Sequence, residues 1–139
     1  MSRWVQSLIR ISDYEVQTLQ KRLAEIVGRR VDAEMRIVML EAESEAEARH
    51  AEADVEAGFM QLGFTHAVRM RKAEIQITID ALLVEETGAR DALSVAFEDL
   101  KRYEHVAEAQ KVKAAKLEQQ RETAALDELG LRRPRQGPG

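Results

Sequence analysis

From Val5 the apolar positions recur three and four residues apart: Val5, Ile9, Val16, Leu19, Leu23, Ile26, Ala33, Ile37 and Leu40, with Ser12 and Arg30 the only polar residues in the series. Steps of three and four average 3.5, the repeat of a seam between two supercoiled helices, whereas a half-buried strand alternates by two. A second series opens at Val68 and runs through Lys72, Ile75, Ile79, Leu82, Glu86, Ala89, Leu93, Ala96, Leu100, Tyr103, Ala107, Gln110, Ala114, Leu117, Arg121, Ala124 and Glu128 to Leu131 without a slip of frame. It predicts a helix of about 65 residues, ~95 Å at 1.5 Å per residue.

Between the two series lie two segments of different character. Residues 41–56, EAESEAEARHAEADVE, carry seven acidic residues against Arg49, and their apolar residues are nearly all Ala. Ala favours helix strongly, so this segment extends the first helix with a thin contact stripe. Residues 58–66, GFMQLGFTH, enclose an apolar cluster between Gly58 and Gly63. Glycine readily takes the left-handed backbone that ends a helix, so the turn is expected here, with Thr65 a cap for the next helix.

The predicted fold is therefore all-α: a long antiparallel two-helix coiled coil, an α-hairpin, with its turn near residues 58–66. Residues 1–131 form one helical hairpin, with helix one over about 3–58 and helix two over about 65–131, and residues 132–139 form a disordered basic tail. Folding about Leu62 sets Leu23 against Leu100, Leu40 against Leu82, Val16 against Ala107 and Val5 against Leu117 in one register. It also sets the acidic Glu52–Glu56 stretch against Arg69, Arg71 and Lys72, which favours the hairpin over a parallel dimer.

Composition narrows the functions. Charged residues make up 33% and aromatic residues 4% of 139, which suits a narrow seam rather than a compact core. A net charge of −4 argues against general nucleic-acid binding, which draws on phosphate neutralisation. The chain has no cysteine, which fits a reducing compartment. No apolar run approaches the ~20 residues that span a bilayer, and the start, MSRWVQSLIRIS, is too polar for a signal peptide. These features predict a cytoplasmic protein.

No phosphate-binding loop and no nucleophile beside a base occur, so neither an enzyme nor a cofactor is expected. Glu47 and His50 have the spacing of one half of a di-iron ligand set, but the set needs a second such step and two further glutamates. A solvated histidine in a glutamate-rich run is the better reading, and no metal site is assigned. Two apolar groups are candidates for partner binding. Phe59, Met60, Leu62 and Phe64 lie where two helices cannot bury them all; they form either a partner site or a local plug. Trp4, Leu8, Ile11 and Tyr14 give the other end large side chains, for a partner or for packing near Leu117.

The opening SLIRISDYEVQTLQKRLAEIVGRR, the late LKRYE, and LDELG just before the end resemble the flagellar FliJ family, the soluble coiled-coil component of the flagellar type III export apparatus. The resemblance covers nearly the whole chain in length and layout. It implies a non-enzymatic hairpin like the central stalk of rotary ATPases, which enters the ring of the export ATPase and promotes its hexamer. It further implies contact with the cytoplasmic part of the export-gate membrane protein and with export chaperones, and peripheral association with the inner membrane through the flagellar basal body. By this analogy the joined termini, with Trp4, Leu8, Ile11, Leu117, Leu126 and Leu129, enter the ring, and Phe59, Met60, Leu62 and Phe64 face the gate or chaperones. Related virulence-secretion or rotary-ATPase stalks and a generic coiled-coil scaffold share the shape; a scaffold would form a parallel homodimer, the stalk a monomeric hairpin.

Overall fold

The computed structural model describes residues 3–52 and 55–132. Two helices account for all of them but Glu52, which lies in a turn: α1, Arg3–Ala51, and α2, Val55–Arg132. No strand occurs among the described residues. The basic tail expected over 132–139 lies outside the described residues except for Arg132, which closes α2.

The chain divides into two compact units. One spans Val16–Val95 and contains the junction of the helices. Here Ile26, Leu82 and Ala89 form a buried cluster with Leu23 packed on it, and Ala33, Ile75 and Ile79 form another with Ile37 and Leu40. Arg30 bonds to Glu86, and Glu41 to Lys72. As α1 advances its partners on α2 recede, so the helices are antiparallel. The buried residues of this unit all belong to the two predicted series. Burying each large aliphatic side chain stabilises the pair by about 1.5–3 kcal/mol.

The other unit comprises residues 1–15 with 96–139. Val5, Ser12, Ala96 and Leu100 are buried, and Leu8, Ile9, Tyr103, Ala107 and Gln110 are half-buried. From Lys111 to Leu131 every residue of α2 is exposed.

The junction and the register differ from expectation. Gly58–His66 is not the turn; it is helical and lies inside α2. The long helices of the hairpin thus meet between Ala51 and Val55 rather than near 58–66. Glycine ends a helix only where it leaves the helical backbone, and neither Gly58 nor Gly63 has a positive φ. Charge at the helix ends favours the observed boundary. Arg49 and His50 lie in the last turn of α1 and Glu56 in the first turn of α2, each matching the helix dipole.

The register shifts accordingly. Lys72 pairs with Glu41 at 3.0 Å, where the expected register would have set Ala81 or Leu82 opposite Glu41, nine or ten positions further along α2. Leu23 belongs with Leu82 and Ala89, not Leu100, and Leu40 with Ile75 and Ile79, not Leu82. Val5 is buried while Leu117 is 47% exposed, so that pair does not form either. Lys72, expected opposite the acidic Glu52–Glu56 stretch, instead pairs with Glu41.

Gly28 and Gly88 sit in mid-helix on exposed positions, and a Cβ added at either would meet nothing within 4 Å. Gly28→Ala and Gly88→Ala are therefore expected to stabilise the hairpin by about 1 kcal/mol each, through higher helix propensity. Urea denaturation of the two variants checks this.

Candidate partner-binding surfaces

Arg30 and Glu86 form a strongly polar layer in the seam. Arg30 Nε donates to Glu86 Oε2 at 2.8 Å and Arg30 Nη2 to Glu86 Oε1 at 3.3 Å, a two-point contact between the helices. Arg30 Nη1 also donates to Glu34 Oε1 at 2.9 Å, and Arg90 Nη2 donates to Glu86 Oε1 at 2.9 Å. The Glu86 side chain is 8% exposed. Hydrogen bonds from Arg30 and then Arg90 hold its carboxyl below the usual glutamate range, against the opposing effect of burial. The bonds to Glu86 and Glu34 raise the Arg30 guanidinium. Both groups stay charged, and each compensates the other in a site largely closed to water. On α1 Arg30 lies between Ile26 and Ala33, and on α2 Glu86 lies between Leu82 and Ala89; nothing in this layer resembles a proton-transfer pair.

The remaining chemistry-bearing residues are dispersed. Among the described residues no group of three or more His, Asp or Glu could hold a metal ion. His50 is exposed and Glu47 half-buried on α1. The concavities lined by His105, Glu108, Val112 and Lys116, or by Lys116, Gln120 and Asp127, are open surface troughs along α2. Among the described residues no helix is long and apolar enough to cross a membrane.

The apolar candidates fall at two places. Beside the junction, Phe59, Met60 and Leu62 are each at least 70% exposed and Phe64 is half-buried. In the unit holding both ends of the described chain, Trp4, Ile11, Leu126 and Leu129 are well exposed, Leu117 is less so, and Leu8 is half-buried. Tyr14, off the seam, and Leu131, which the sequence set on the seam, are also exposed and add to the second group. A third set did not stand out in the sequence. Met35, Val38 and Met39 on α1 and Met70, Ile77 and Val84 on α2 are exposed off the seam. The seven-residue spacing of Met70, Ile77 and Val84 was the available signal: it marks one outward face of α2.

This architecture defines a helical-hairpin coiled-coil protein whose large apolar residues are divided between a narrow seam and uncovered surface. The chain is 54% identical to the "Flagellar FliJ protein" of two strains of Caulobacter vibrioides, NA1000 / CB15N and ATCC 19089 / CIP 103742 / CB 15. Each match spans 133 residues, 96% of this chain and 96% of the relative. No family model and no solved structure matches. The chain belongs to the flagellar FliJ family and is a flagellar export component.

Proposed function

We propose that the protein acts without catalysis of its own, as a central stalk that promotes the export ATPase hexamer and as an adaptor to the export gate and its chaperones. The observation that carries this reading is the uncovered C-terminal part of α2. From Lys111 to Leu131 every residue is exposed, yet the segment carries Leu117, Leu126 and Leu129. Most helical stability in proteins comes from packing an apolar face, so a segment with its leucines exposed has a face to offer a partner. The ATPase ring is the partner assigned to it, together with Trp4, Leu8 and Ile11 at the start of α1. Phe59, Met60, Leu62 and Phe64, beside the helix junction, are assigned to the gate or chaperones.

The working form is a monomeric hairpin in the cytoplasm, drawn to the inner membrane through these partners. It has no nucleic-acid role and no cofactor. Removing residues 126–139 tests the assignment: it weakens contact with the ATPase and spares gate binding. The reverse pattern would exchange the roles of the two ends.

A further inference from the structure

A repeating seam is degenerate. Sliding one helix along the other by whole seam turns returns apolar residues to apolar residues, so periodicity alone does not choose a register. Two registers of this chain keep the match. In the observed one, Ala33 clusters with Ile75 and Ile79, and Leu82 with Ile26. In the other, Leu40 meets Leu82 and Val5 meets Leu117.

Two features separate the registers. The first is the Arg30–Glu86 contact, which exists only in the observed one. The slide would place Arg30 against Leu93 and Glu86 against Ile37, leaving two charges in an apolar seam. The second feature favours the slide. It would move the junction from Ala51–Val55 to the Gly58–Gly63 segment, where ending a helix is cheap. A Cβ at either glycine would meet nothing within 4 Å, so no tight packing there resists the change. The slide would also cover Leu117, now 47% exposed, with the start of α1.

We propose that the hairpin is a two-register device: the Arg30–Glu86 contact holds the observed register, and its release lets α2 slide along α1, moving the junction to the glycines and bringing Leu117 against Val5. The shift, from Glu86 to Leu93 opposite Arg30, is one seam repeat of seven residues, ~10 Å of travel at 1.5 Å per residue. Register shifts between packed helices link distant positions because the intermediate offsets misplace every knob along the seam. An event beside the junction would thereby change how much of the Lys111–Leu131 segment is uncovered.

The chain has no cysteine, so reporter pairs can be introduced cleanly. Ala33→Cys with Ile79→Cys reports the observed register, and Leu40→Cys with Leu82→Cys reports the shifted one. Intrachain crosslinking is read as an oxidised species of monomer mass. With Arg30 and Glu86 in place the first pair crosslinks and the second does not. In an Arg30→Leu/Glu86→Leu background, crosslinking of the second pair rises by about tenfold or more, and adding Gly58→Ala and Gly63→Ala suppresses it again. Equal crosslinking of both pairs in the unaltered background overturns the proposal. So does an Arg30→Leu/Glu86→Leu chain that keeps only the first crosslink. Loss of helicity in that chain also overturns it, because apolar replacement is expected to leave either register packed.

Discussion

Ile79→Ala lowers the unfolding free energy by about 2–4 kcal/mol, whereas Ile77→Ala, two residues away on the same helix, changes it by no more than about 0.5 kcal/mol. Ile79 is 5% exposed and lies in the cluster with Ala33 and Ile75; Ile77 is 70% exposed on the outer face. Truncating Ile79 removes buried methyl groups and leaves a gap that a thin seam closes only in part. Truncating Ile77 removes surface that water already touches. Small domains have little stability to spare, so the first variant should lose helicity near physiological temperature while the second does not. Urea titrations followed by far-ultraviolet circular dichroism measure both. Equal effects would mean that the seam is misassigned.

Deleting residues 126–139 should weaken binding to the flagellar export ATPase at least about tenfold, since burial of Leu126 and Leu129 at an interface is worth more than the 1.4 kcal/mol that a factor of ten requires. Both leucines are exposed, and so is the whole segment from Lys111 to Leu131. The hairpin itself should therefore keep its stability to within about 0.5 kcal/mol. Binding to the cytoplasmic part of the export gate should be retained. Calorimetry or sedimentation with each partner separates these results. A truncated chain that binds the ATPase normally but loses the gate would assign the two ends the other way round.

The buried faces were legible in the sequence because hydrophobic periodicity reports which side of a helix is covered. Val5, Val16, Ile26 and Ala33 on α1, and Ile75, Ile79, Leu82, Ala89, Ala96 and Leu100 on α2, all fall on the predicted series and are all buried. Even the polar seam members Ser12 and Glu86 are buried where the frame places them. The register was not legible from the same signal, for the reason that makes the signal strong: a perfect repeat matches itself at several offsets. Arg30 read as a break in the pattern and Glu86 as one polar step among apolar ones, and only their juxtaposition shows them to be partners. Gly58 and Gly63 then pointed to a turn that the sequence permits and that the observed pairing does not use. The exposure of Leu117 was hidden by the same error, since the expected register covered it with Val5. The tip cluster was recognised from composition, but its exposure could not be told from a local plug until Phe59, Met60 and Leu62 were placed on an outer helical surface.

The stalk role is tested most directly by titrating the protein into the flagellar export ATPase of the same organism, following ATP hydrolysis and hexamer mass together. The account predicts a saturable rise in both, lost in parallel when residues 126–139 are removed. A well-folded helical hairpin that leaves both hydrolysis and assembly unchanged would contradict it.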